Sequence, residues 1–180
     1  MCSAGSCIQA VNLTVKLYGK NLGTPWIAPQ LSITNNGTSA LPLAGLSLRY
    51  WYDEEATNGT TVVATCNTPV QTAFCDSTSM TGGCASATGA PNFSWAFVNA
   101  GKTNADCYYQ VTFSSTAGSL APGASVADIE LRFSKNDFSA YTQANDYSYN
   151  GATAYTATTK VTAYINSTTT PVLVYGTEPM

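Results

Sequence analysis

Six cysteines, at positions 2, 7, 66, 75, 84 and 107, carry the most reactive chemistry in this chain of 180 residues. None stands in a C-x-x-C pair and histidine is absent, so a zinc centre would need four thiolates at irregular gaps. Disulfides account better for an even set, and they place the chain in an oxidising, extracytoplasmic compartment. Proximity pairs Cys2 with Cys7 and leaves the pairing of the other four open; the plain alternative is free buried thiols acting as small hydrophobes. The lack of histidine also removes the commonest general base and any Ser-His or Cys-His nucleophile pair. Two carboxylates suffice for glycoside hydrolysis, yet no isolated pair stands out among the 10 Asp and Glu residues. Binding is expected, with no catalytic residues.

Only 9% of the chain is charged, against roughly 25% in an average domain, and Thr, Ser, Asn, Gly and Tyr supply the polarity instead. A net charge of -3 without a basic block offers little to a phosphate backbone, which excludes nucleic acid as a partner. No apolar run approaches the roughly 18 residues of a membrane span, so no membrane partner is expected. The residues from Met1 to Cys7 lack a charged-then-apolar signal layout, which leaves a removed signal or an excised module.

The elements that must position any site read as strands. Leu13, Val15 and Leu17 alternate with Thr14, Lys16 and Tyr18, and Leu46, Leu48, Tyr50 and Tyr52 with Ser47, Arg49 and Trp51. Further strands are expected around Leu31 and Ile33, and over 60–65, 94–98, 108–113, 125–133, 160–165 and 172–175. Turn residues separate them, which predicts an all-β fold: an antiparallel sandwich of about nine strands. Residues 66–90 show turn chemistry without a period and read as a loop pinned by its cysteines. No repeat or linker divides the chain, so 1–180 reads as a single domain and a monomer.

The run from Arg132 to Ser148, RFSKNDFSAYTQANDYS, resembles the signature of the family 3 carbohydrate-binding modules, cellulose-binding β-sandwiches of bacterial cellulases and cellulosomal scaffold proteins. Leu48-Arg49-Tyr50-Trp51-Tyr52 resembles the family's aromatic strand, and Leu120-Ala121-Pro122-Gly123-Ala124 the turn before the signature strand. Lys160 to Ile165, with Val172 to Pro179, resembles its closing hairpin. The resemblance implies a jelly roll with one structural calcium. Thr142, Asn145 and Asp146 stand at ligand positions of the signature, and Asp53 and Glu55 at the two on the loop after the aromatic strand. These are oxygen donors of the kind calcium takes. The competing reading of the same residues is an Asx turn at Asn145-Asp146 and a solvated hairpin tip at Asp53-Glu54-Glu55.

The resemblance also implies a flat row of side chains stacked on cellulose, since rigid aromatics bury area at small entropy cost. Of that row Arg132 is retained, and Phe138 occupies a Trp position with less area and no N–H donor. Asn67 stands nearest the place of an Asp-His pair, and the cysteine-bearing loop replaces the rest. Glu130 and Thr153 stand where the family has Gln and Ser, as anchors for a second chain or simply as exposed strand and loop residues. Tyr50, Trp51 and Tyr52 are assigned to packing. Trp26 and Trp95 are each a platform or a core plug, and Trp95, which borders the loop, is taken as the candidate. Sequons at Asn12, Asn36, Asn58, Asn92 and Asn166 are expected from an Asn-, Ser- and Thr-rich composition alone.

The expected function is that of a secreted, non-catalytic module that binds cellulose or a related β-glucan and targets a catalytic domain or scaffold in its parent chain. The incomplete row narrows this to amorphous cellulose, single chains or a decorated glucan. The alternative is a docking or structural sandwich that packs on a catalytic domain or builds an extracellular structure.

Overall fold

The computed structural model describes residues 2–3, 6–7, 11–19, 25–54, 66, 70–75, 93–135, 137–166 and 170–180; of 2–3, 6–7, 70–75, 93–97, 99 and 166 it describes the backbone only. In chain order the strands are β1 (Cys2–Ser3), β2 (Ser6–Cys7), β3 (Leu13–Tyr18), β4 (Trp26–Ile27), β5 (Gln30–Asn35), β6 (Leu41–Pro42), β7 (Leu46–Tyr52) and β8 (Val70–Cys75). They continue as β9 (Phe93–Lys102), β10 (Ala105–Phe113), β11 (Ser119–Leu120), β12 (Ser125–Ser134), β13 (Thr156–Ala157), β14 (Thr162–Asn166) and β15 (Pro171–Tyr175). One 3-10 turn, η1, spans Gln143–Asn145. Among the described residues no helix is long and apolar enough to cross a membrane.

Two antiparallel sheets make the sandwich, a jelly roll in which one sheet runs β15-β14-β7-β10-β9. The other runs β13-β3-β5-β12-β4, with β8 also paired to β12. The period-two patterning decides what lies between them. Leu13, Val15 and Leu17 of β3, Leu31 and Ile33 of β5, and Ile129, Leu131 and Phe133 of β12 point inward from one side. Leu48, Tyr50 and Tyr52 of β7 and Tyr109, Val111 and Phe113 of β10 meet them from the other.

The centre of this core is aromatic. Phe133 lies 4.7 Å from Tyr52, 5.5 Å from Tyr109 and 6.1 Å from Tyr141, ring centre to ring centre. Tyr52 and Tyr109 come from one sheet, Phe133 from the other, and Tyr141 from the segment after β12. Offset and edge-on aromatic pairs of this kind add about 0.5–1.5 kcal/mol each beyond their burial.

Two expectations change here. The stretch 66–90 is not a loop throughout, because Val70–Cys75 forms β8 in register with β12, Cys75 facing Ile129 and Val70 facing Ser134. Its Val, Thr and Phe suit a strand, but cysteines and turn residues on either side obscured the run. The expected strand over 60–65 lies outside the described residues. Cys66 is bonded to Cys107 of β10, which settles one pair left open by proximity. Cys2 and Cys7 face each other across the β1–β2 ladder, and Cys84 lies outside the described residues.

Replacing Phe133 by Ala removes the ring that all three aromatic neighbours share. The expected cost is about 3–5 kcal/mol, seen as a lower urea midpoint at unchanged m value.

Candidate functional site

Strand β12 sets the first cluster. Phe133 is fully buried, so alternation sends Arg132 to the outer face of the sheet. On that face Ser134 pairs with Trp26 of β4, which makes Trp26 the diagonal neighbour of Arg132. The Arg132 Cζ lies 4.2 Å from the centre of the Trp26 ring. Its Nε is buried and makes no hydrogen bond among the described residues, and the indole face partly compensates through a cation–π contact.

Phe138 completes the cluster. Its ring centre is 5.8 Å from that of Trp26, with the two planes inclined at 67°. A tight turn presents it: the Phe138 N–H donates to the Lys135 carbonyl at 3.1 Å, and the Ser139 N–H to Asp137 Oδ1 at 3.0 Å. The ring is 52% exposed and the residue sits at φ +54°. A bulky L residue in the left-handed region costs about 1–3 kcal/mol, and such strain clusters at functional sites. Gln143 fixes the other ring's backbone, its Nε2 donating to the Trp26 carbonyl at 2.8 Å.

The same segment builds an oxygen-donor cluster a few residues later. Residues 146–148 are stitched to the end of β7: Ser148 Oγ accepts the Trp51 N–H at 2.8 Å, and Asp146 Oδ1 accepts the Asp53 N–H at 2.9 Å. Asn145 Nδ2 donates to Asp53 Oδ2 at 3.2 Å, and the Asn145 N–H closes η1 onto the Thr142 carbonyl at 3.2 Å. These bonds bring Asp53, Asn145 and Asp146 together beside the Thr142 carbonyl, while Glu55 lies outside the described residues. Among the described residues no three Asp, Glu, His or Cys side chains gather at one point. The set is instead two carboxylates and an amide beside the Thr142 carbonyl, hard-oxygen donors of the kind that suit calcium better than a thiolate- or imidazole-seeking metal.

Glu54, which the competing reading put on a solvated tip, is buried instead, 5% exposed. Its N–H donates to Asp106 Oδ1 at 2.7 Å, and the Tyr141 hydroxyl lies 3.5 Å from its Oε2. Burial pushes its carboxyl up to about 7; nearby Asp106 pushes the same way, and bonds from Tyr52 and Tyr141 with the charge of Lys135 oppose it.

Glu130 requires a second correction. It is 2% exposed and accepts a hydrogen bond from Gln30 Nε2 at 3.0 Å, so it is neither an exposed strand residue nor free to anchor a glucan. Its position on the outer face does not expose it, because Gln30 bonds it from β5 and the backbone of β8 runs along its other side. Thr153 is exposed in a bend, and Asn67 lies outside the described residues. The backbone of Trp95 runs in β9, at the edge of the opposite sheet from Arg132. Trp26 is the residue the sequence reading passed over. The signal was Ile27 beside it: one buried residue on a short strand sends its neighbour out.

The outer face of the five-stranded sheet carries a second aromatic cluster. Arg49 lies 3.9 Å over Tyr164 and 4.3 Å over Tyr108, and its Nε donates to Gln110 Oε1 at 2.8 Å. Trp51 is buried beside them, its indole N–H donating to Thr162 Oγ1 at 2.8 Å.

A family model described as "Cellulose binding domain" matches residues 13–176. The chain is 39% identical over 173 residues to cellulosomal-scaffolding protein A of Acetivibrio thermocellus, covering 93% of this chain and 8% of that protein. It is 36% identical over 156 residues to exoglucanase-2 of Thermoclostridium stercorarium, covering 85% of this chain and 14% of that one. The chain thus spans a small part of these relatives. Among solved structures, the CBM3b of the major scaffoldin subunit ScaA from Acetivibrio cellulolyticus superposes with a TM-score of 0.72 at 33% identity, over 94% of this chain and 99% of that one.

The Glu54 environment predicts a pH dependence. The folded carboxyl holds its proton up to about 7 while the unfolded one releases it near 4.5. Its contribution to stability is therefore whole below about pH 4.5 and is lost as pH rises through about 7. In the presence of chelator the melting temperature should fall over this window, and Glu54→Gln should flatten that part of the slope.

Proposed function

The chain belongs to the family of cellulose binding domains, and from that premise we propose that it is an extracellular, non-catalytic module holding cellulose beside a catalytic domain or scaffold in its parent chain. The family is one of binding modules, so no residue is assigned a catalytic role. The observation that carries the reading is the grouping of Arg132, Trp26 and an exposed Phe138 on one outer face. The apolar faces of glucose rings stack on aromatic faces, and guanidinium donors meet sugar hydroxyls at the rim. The benefit to a tethered enzyme is a raised effective concentration on an insoluble substrate.

Calcium is part of the same proposal. Asp53, Thr142, Asn145 and Asp146 would hold it, with Glu55 as the further donor that the family pattern implies. When bound, the ion supplies a local positive charge that offsets the paired carboxylates and joins the β7 end to the η1 turn. This support is structural.

Depletion of the pure protein by cellulose tests the binding reading. Phe138→Ala and Arg132→Ala should each lower retention by roughly three- to tenfold while the melting temperature shows the fold intact. Absence of retention of the parent protein on microcrystalline cellulose, amorphous cellulose, xyloglucan and xylan alike would transfer the face to the docking alternative. For calcium, addition of the ion after chelation should raise the melting temperature, and Asp146→Ala should abolish the rise.

A further inference from the structure

We propose that Trp26 is a second sugar-stacking residue, and that with Phe138 it forms an angled platform selecting individual, loosened β-glucan chains over the flat face of crystalline cellulose. The inference rests on the cellulose-binding reading above and names the form of substrate that the face takes.

The core does not require an indole at position 26. Among the described residues Trp26 belongs to neither hydrophobic cluster, whereas its neighbour Ile27 is fully buried in the main one. Its ring meets Arg132 and Phe138, and part of it stays exposed. A large aromatic held outside the core beside a strained, exposed phenylalanine is the composition of a binding surface.

The angle sets what that surface can take. A crystal face is a plane, and only coplanar rings can all lie flat against it. At 67° only one of Trp26 and Phe138 can do so, and the other meets the plane with its edge. A single chain that is free to leave the plane can use both: the axial C–H groups of one sugar lie on a ring face, and its hydroxyls meet the electropositive edge of the other ring or the indole N–H.

The backbone beneath each ring is also held in place. Phe138 is fixed by its turn onto Lys135 and by the Asp137–Ser139 bond, and Trp26 by Arg132 on its ring and Gln143 on its carbonyl. A backbone fixed before binding loses little entropy when sugar arrives, and the Arg132 guanidinium on the indole face opposes rotation of the Trp26 ring.

The test measures binding of the full chain, with calcium present, to microcrystalline cellulose, acid-swollen cellulose and soluble cellohexaose, for the parent, Trp26→Ala, Trp26→Phe and Phe138→Ala. The parent should bind swollen cellulose roughly three- to tenfold more tightly than microcrystalline cellulose per accessible chain. Trp26→Ala should lose that preference, with affinity for the swollen form falling by the same factor and retention on the crystalline form little changed. Cellohexaose should perturb the indole emission of the parent and not that of Trp26→Phe, a readout that stands even if the alanine variant fails to fold. A parent that prefers the crystalline form, a Trp26→Ala variant that binds both forms as the parent does, or equal emission changes in parent and Trp26→Phe would overturn the inference. In each of these cases cellulose binding itself survives if Phe138→Ala weakens retention. If the parent is retained on neither form and does not respond to cellohexaose, the cellulose reading falls and this inference with it.

Discussion

Phe133 is the contact on which both sites depend. Its ring touches aromatic side chains from the opposite sheet, Tyr52 and Tyr109, and also Tyr141 from the segment that follows its own strand. With that ring locked inward, period-two geometry leaves Arg132 no choice but the outer face, where Trp26 waits across the ladder. Tyr141, packed on the same ring, fixes where the chain goes next. A displaced core ring would therefore disturb the surface on both sides of it.

The segment from Lys135 to Ser148 performs several tasks in few residues. It turns sharply to expose Phe138, dives to bury Tyr141, forms the η1 turn, and delivers Asp146 and Ser148 to the end of β7. Lys135 helps hold the excursion closed: it is buried, bonds the Ala140 carbonyl at 3.0 Å and lies 4.6 Å over Tyr141. A buried charge needs such partners to avoid its desolvation cost.

The sandwich was legible because alternation is a direct record of which face is wet. Strands such as β3 and β10 bury every second residue in register with the pattern read from sequence. The donor cluster was legible only through its resemblance, since Asp53 and Asp146 lie far apart in the chain and spacing cannot bring them together. What escaped the reading depends on neighbours in space. Glu130 alternates outward yet is sealed by adjoining strands, and Glu54 turns inward from an acidic run that reads as solvated. Trp26 sits on a two-residue strand, too short to show a period, so its partners could be seen only once β4 was laid on β12.

Gln143 joins two matters otherwise treated apart. It lies in the η1 turn between Thr142 and Asn145, and its side chain holds the backbone of Trp26. A cation held at the proposed donor cluster would steady the turn and, through it, the backbone of Trp26 in the proposed sugar face. Reciprocity would then have glucan tighten the cation by the same factor as the cation tightens glucan. For a module proposed to anchor on a solid, the dissolved calcium of its surroundings would become a variable in how long it stays there.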